Sequence, residues 1–181
     1  ALYGAQTQRA IENFPLGGPP MPEGLVRALL AIKRAAARAN GALGLLPAPR
    51  TEAIAAACDT LLADAQMMRH FPVDVFQTGS GTSTNMNANE VVTTLASRAL
   101  GEPVSPNDDV NHGQSSNDAI PSAIHVGATL ALRDGLLPAL EHLEAVLRRK
   151  GAGLAAHVKT GRTHLMDAMP VRLDQVLGGW A

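Results

Sequence analysis

Arg162, Thr163 and His164 stand in consecutive positions, between Gly161 and a turn that ends in Pro170. A histidine flanked by two strong hydrogen-bonding side chains can hand a proton to, or take one from, a small acidic substrate. The plain alternative is a polar loop joining two helices. Two further clusters bear on the choice.

The stretch "QTGSGTSTNMNANE" (77–90) places Gly79 and Gly81 among Ser80, Thr82, Thr84, Asn85 and Asn87. Glycines there let backbone N–H groups approach a ligand closely, while the hydroxyls and amides add neutral donors. It is not a phosphate-binding P-loop, because the glycine spacing differs and no Gly-Lys-Ser/Thr follows. A capped turn with no ligand explains the pattern equally well. In "GQSSNDAIP" (113–121), Ser115, Ser116 and Asn117 directly precede an apolar helical pattern. Their amides and hydroxyls would sit at the positive end of that helix, which suits a carboxylate. Simple N-capping by Asn117 or Asp118 accounts for one of these residues, but not for the whole run.

Taken together, the clusters hold many neutral donors, one titratable group and almost no fixed charge. That set fits a small dicarboxylate, each hydrogen bond to a charged group contributing roughly 1.5–3 kcal/mol. It also fits a reaction whose transition state gathers negative charge on a carboxylate. The remaining histidines (His70, His112, His125, His142 and His157) show no metal-ligand spacing, so no metal is expected.

The elements that would carry these groups read as mainly helical. "PLGGPPMP" (15–22) is a stiff, helix-breaking entry. A helix is expected from about Glu23 to Asn40, with Leu25, Leu29, Ile32 and Ala36 inward and Gly41 as its stop. A second should run from the N-cap Thr51 to about Arg69, burying Ile54, Cys58, Leu61 and Ala65. "HFPVDVF" (70–76) reads as extended, a further helix spans about Asn87 to Gly101, and residues 102–118 form a polar loop. The longest helical pattern covers about Asp118 to Lys150, and Pro138 should kink or divide it. Between Ile120 and Leu132 its polar residues are Ser122, His125 and Thr129, one narrow stripe on an otherwise apolar cylinder. Such a helix must be covered on nearly all sides, which predicts a bundle formed between subunits. The expected architecture is a helical N-terminal domain with short extended segments (1–115), then the start of a long-helix bundle (116–181).

Composition bounds the partners. The chain has 181 residues, 46% hydrophobic and 17% charged, enough to bury a core. Fifteen basic against sixteen acidic residues leave a net charge of -1, which offers no footprint for nucleic acid or an anionic membrane. Cys58 is the single cysteine, so a disulfide framework is excluded and a reducing, cytoplasmic setting is expected. No apolar run approaches the ~20 residues that span a bilayer, and no signal peptide is visible. The absence of an initial methionine, and the "VLGGWA" ending inside a helical pattern, suggest a chain cut at both ends.

"QTGSGTSTNMNANE", "PNDDVNHGQSSNDAIP" and "KTGRTHLMDAMP" closely resemble three signature regions of the class II fumarase branch of the fumarase/aspartase superfamily. "YGAQTQRAIENFP" is similar to that family's N-terminal segment. The match runs along essentially the whole chain in the family's order. The resemblance implies reversible anti addition of water to fumarate, giving (S)-malate in the tricarboxylic acid cycle, with no metal or organic cofactor. It implies a homotetramer around a central helical bundle, with active sites drawn from several subunits. On that resemblance Ser80, Thr82 and Asn85 would bind a substrate carboxylate. Ser115, Ser116 and Asn117 would hold substrate from a second subunit. Thr163 and His164 would come from a third, His164 protonating or activating the water. Hydroxide is a poor leaving group, so dehydration of malate needs a proton at the departing oxygen.

Aspartase-like relatives expel ammonia, which can leave already protonated; they carry glutamine at the position of His164 and a Gly-Gly-Ala-Gly-Thr version of the first motif. Thr78, Ser80 and His164 therefore favour water over ammonia. The resemblance also places a secondary carboxylate site at Asn107 and Asp108. There, however, Ser105 and Glu102 stand where the family usually has histidine and a basic residue. His112, Gly113 and Asp174 are further departures. The family's base is a serine on a glycine- and serine-rich loop, followed by a substrate-binding lysine and asparagine. These 181 residues contain no such loop, so by themselves they are expected to be inactive. A non-catalytic helical assembly module is the alternative from another class, and it leaves His164 without a purpose.

Overall fold

In a computed structural model, which describes residues 1–13, 15–77 and 79–181, the chain is mainly helical, as expected. It forms two compact units, Ala1–Thr129 and Leu130–Ala181.

The first unit contains α1 (Ala5–Asn13), α2 (Glu23–Ala42), α3 (Ala48–Ala63), α4 (Thr82–Leu100) and most of α5 (Ser116–Ala131). A 3₁₀ turn at Met67–His70 and a wide turn at Pro106–Val110 join them. The apolar spacing of α2 buries Val26, Leu29, Leu30 and Ala37 against Ile54, Cys58 and Leu61 of α3 and Val91 and Val92 of α4. Complete burial of such a side chain contributes about 1.5–3 kcal/mol. The inward face of α2 is thus turned slightly from the expected one: Leu25 and Ile32 are at its edge, and Lys33 lies at its centre. α2 also runs past Gly41 to Ala42, and Gly44, at φ 71°, makes the chain reversal.

α3 starts earlier than expected, at the pre-set proline pair Pro47 and Pro49, and Thr51 is a buried residue of its first turn. It ends at Ala63, leaving Ala65 exposed, because the chain tightens into the 3₁₀ turn before Arg69. Of the segment 70–76 expected to be extended, His70 closes the 3₁₀ turn and Val75 and Phe76 form a turn; β pairing is confined to Asp74, which bridges to Pro20, and the Val75 amide donates to the Pro19 carbonyl. α1 is held by one side chain. The Glu90 carboxylate accepts from the amides of Gly4, Gln6 and Thr7 and from Thr7 Oγ1, satisfying the donors that a helix start leaves open.

The second unit holds α6 (Leu137–Ala152), the antiparallel strands β1 (Val158–Thr163) and β2 (Met166–Arg172), and α7 (Leu173–Trp180). Gly151, where α6 meets Asp174 and Leu177 of α7, is its one buried position among the described residues. The long helical pattern is continuous but widens into one π-helical turn at Leu132–Leu136, just ahead of Pro138, which cannot donate a backbone hydrogen bond. Ile124, Val126 and Leu130 on α5 and Leu137, Leu140 and Leu143 on α6 are exposed within the chain. Among the described residues no helix is long and apolar enough to cross a membrane.

Candidate active site

Gly81 controls how the first two clusters meet. It caps α4 at φ 68°, a left-handed conformation that only glycine adopts without strain, and a Cβ there would lie 2.9 Å from Ile120 Cγ1 of α5. The starts of α4 and α5 therefore touch. α4 begins at Thr82, not near Asn87 as the sequence suggested, so Thr82 and Asn85 belong to its first turn. The left-handed glycine nucleates the helix despite the polar residues that follow.

Ser80 and Thr82 are exposed at this junction, their hydroxyls 2.9 Å apart. The open amides of the first turn of α4 and the positive helix ends favour an anion here. Asn85 is different: it is 1% exposed, and its Nδ2 donates to Ser116 Oγ at 3.1 Å and to Asn111 Oδ1 at 3.1 Å. The first and second clusters are thus joined inside one chain. Helix α5 starts at Ser116, and it is Ser115, rather than Asn117 or Asp118, whose hydroxyl accepts from the first turn, taking the Asn117 amide at 3.2 Å. Ser115 and Asn117 are exposed and Ser116 is half-buried.

Behind this seat lies a group that the sequence reading missed. Lys33 is completely buried, and its Nζ donates to Asn111 Oδ1 and to Gln114 Oε1, each at 3.0 Å. Gln114 Nε2 donates in turn to the Val110 carbonyl, and Asn111 Nδ2 to the Gln114 carbonyl. Burial pushes the Lys33 ammonium down to about 7, with the neighbouring Cys58 acting weakly the other way. A visible signal existed: lysine interrupts the α2 stripe Val26, Leu29, Leu30 and Ala37 at the helical spacing of a core residue.

His164 and Leu165, at φ 51° and 62°, form a two-residue turn between β1 and β2, with Thr163 paired to Met166. Segment 161–170 is accordingly a strained hairpin and not a loop between helices. Two positive φ values are what a tight hairpin turn requires, but asparagine and glycine usually supply them. His164 and Leu165 hold theirs at a cost of order 1–2 kcal/mol each. Thr163 and His164 are exposed at the tip, and Leu165 is 100% exposed. The hairpin belongs to the second compact unit and the donor seat to the first.

At the secondary position, Asp108 accepts from Ser105 Oγ at 2.8 Å and Asn107 is exposed. Thr78 lies outside the described residues. No group of three or more His, Cys, Asp or Glu side chains that could hold a metal ion occurs among the described residues.

Comparison with known proteins identifies the family. A family model described as Lyase matches residues 1–181. Fumarate hydratase class II 2 of Pseudomonas aeruginosa is 66% identical over 181 residues, covering 100% of this chain and 39% of that protein. The class II fumarate hydratase of Halobacterium salinarum is 54% identical over 185 residues, covering 99% of this chain and 39% of that protein. Among solved structures, the class II fumarase of Schistosoma mansoni superposes with a TM-score of 0.91 at 40% identity, covering 99% of this chain and 39% of that one. A fumarate lyase:delta crystallin structure from Brucella melitensis gives 0.90 at 44% identity, covering 99% of this chain and 43% of that one. The chain spans about two-fifths of the length of the curated relatives it matches. The class II fumarase resemblance drawn from three motifs holds along the whole sequence, and the chain belongs to the lyase family.

Proposed function

We propose that the complete protein adds water reversibly to fumarate, giving (S)-malate, as a tricarboxylic acid cycle enzyme. Ser80, Thr82, Ser115, Ser116 and Asn117 form the carboxylate seat. Asn85 acts through Ser116, because its own amide hydrogens are already engaged. His164, presented by the hairpin turn beside Thr163, delivers the proton that lets the malate hydroxyl depart as water while a base outside these residues takes the C3 proton, and both transfers reverse on hydration. Neither step calls on a cofactor.

The observation that carries this reading is the Asn85–Ser116 hydrogen bond, which draws two clusters of neutral donors into one anion-favouring corner. The exposed leucines of α5 and α6 support the further proposal that residues from 116 onward begin a bundle shared by copies of the chain, a homotetramer. We also propose a cytoplasmic setting, supported by the lone buried thiol of Cys58. Asn107 and Asp108 would take a second carboxylate only with help from outside the turn, since the carboxylate already there repels one.

Ultraviolet absorbance of fumarate distinguishes the reactions. Malate supplied to the complete protein should generate fumarate, whereas turnover of aspartate without turnover of malate would overturn the reading.

A further inference from the structure

We propose that Lys33 is the counter-charge of the carboxylate seat, gaining a proton from solvent as a dicarboxylate binds at Ser116. This rests on the dicarboxylate reading above.

A completely buried lysine ordinarily faces a carboxylate, because an unpaired buried charge is costly. Lys33 faces two neutral side-chain oxygens, of Asn111 and Gln114. Acidic groups on the elements packed around α2 are occupied elsewhere. On α3, Asp59 pairs with Arg34 and Arg38, and Glu52 is exposed. Asp109 meets Arg50 and the Ser105 amide, Asp108 meets Ser105, and Glu90 of α4 is spent on α1. His112 turns its Nδ1 to the Asp108 carbonyl, Arg98 of α4 is exposed, and so are Asp118 and His125 of α5. Cys58 remains as the titratable group bearing on Lys33, and burial keeps its thiol protonated by pushing it up to about 12.

The missing negative charge is the one a ligand would bring. Asn111 Oδ1 accepts from both Lys33 and Asn85, and Asn85 donates to Ser116, so the amine is linked to the seat through two buried or half-buried amide side chains. Both its forms carry enough N–H bonds for the two acceptors, so protonation breaks no hydrogen bond. An anion arriving nearby in a low-dielectric setting favours the ammonium. The site would thus match the ligand's charge on binding while holding less than a full buried cation when empty.

The test is calorimetric titration of the complete protein with succinate, a non-reacting four-carbon diacid, in Tris and in HEPES. These buffers differ in ionisation enthalpy and so report proton uptake. At pH 8 the wild type should take up about one proton per site, declining toward none at pH 6. Lys33→Met should abolish that uptake and weaken succinate binding at least tenfold. Gln114→Glu, at a half-buried loop position that leaves the core intact, should abolish uptake by holding Lys33 charged beforehand. No uptake in the wild type overturns the proposal. So does undiminished uptake in Lys33→Met or, should that variant not fold, in Gln114→Glu. If the wild type fails to bind succinate at all, the dicarboxylate reading falls and takes this inference with it.

Discussion

The side-chain amide of Asn85, in the first turn of α4, donates to Ser116 Oγ in the first turn of α5 at 3.1 Å, across 31 positions of sequence. Asn85 is buried and Ser116 half-buried, so the bond fixes a partly open hydroxyl from behind. Removing it should loosen the seat without unfolding the unit. Asn85→Ala is expected to raise KM for malate more than it lowers kcat, with a stability loss of about 1–3 kcal/mol from the two hydrogen bonds lost and the Ser116 acceptor left without its donor. Steady-state kinetics and urea melts of the complete protein measure both; an unchanged KM would remove Asn85 from the site.

Gly81 sets the distance between the two helix starts. Gly81→Ala should cost at least the ~1–2 kcal/mol of a left-handed non-glycine residue, and more because the new Cβ meets Ile120. Gly79→Ala, where a Cβ would meet nothing within 4 Å, is the control and should be nearly neutral. Equal losses in the two variants would contradict the close approach of α4 to α5.

Glu90 ties the N-terminal segment to α4. Burial pushes its carboxyl up, but the Thr7 hydroxyl and the amides of Gln6, Thr7 and Gly4 more than reverse this and hold it below the usual carboxylate range. Its contribution is therefore present at neutral pH and lost as pH falls through the lowered value. Glu90→Gln should destabilise the protein by about 2–3 kcal/mol at pH 7, with a smaller difference in acid. Hydrogen exchange at Gly4, Gln6 and Thr7 should rise in the variant; unchanged exchange would refute the tie.

Lys33 also leaves a signature in folding stability. Unfolded, a lysine keeps its proton up to about pH 10.4, whereas the folded side chain releases it at about 7. Above pH 7 the folded state binds fewer protons, so stability should climb with pH by up to about 1.4 kcal/mol per unit. Above about pH 9 the Cys58 thiol, protonated in the folded state up to about 12, opposes the climb. Urea midpoints between pH 7 and 9 should rise in the wild type and stay level in Lys33→Met. Parallel curves would mean that Lys33 keeps its proton when folded.

His164 must satisfy both a strained turn and a proton transfer. Asparagine tolerates its φ of 51° but does not titrate. His164→Asn should preserve the hairpin, leave the melting temperature within a degree or two, and cut malate turnover by ~10²–10⁴-fold. Retained turnover would assign the proton to another group.

The helical class, the Ile54–Cys58–Leu61 apolar spacing of α3, and the residues of all three polar clusters were legible in the sequence, because periodicity and capping are local properties of the chain. The resemblance identified the family for the same reason: short motifs keep their order whatever surrounds them. Tertiary structure alone decided that Asn85 is buried and bonded to Asn111 and Ser116, since burial depends on what α5 and the 111–114 loop bring against it. It alone turned the polar segment at His164 into a hairpin, because pairing of Thr163 with Met166 outweighs the poor fit of histidine and leucine to positive φ. And it placed Lys33 behind the seat: a lysine in an apolar stripe has no meaning along the chain until packing leaves it no water and no counter-ion.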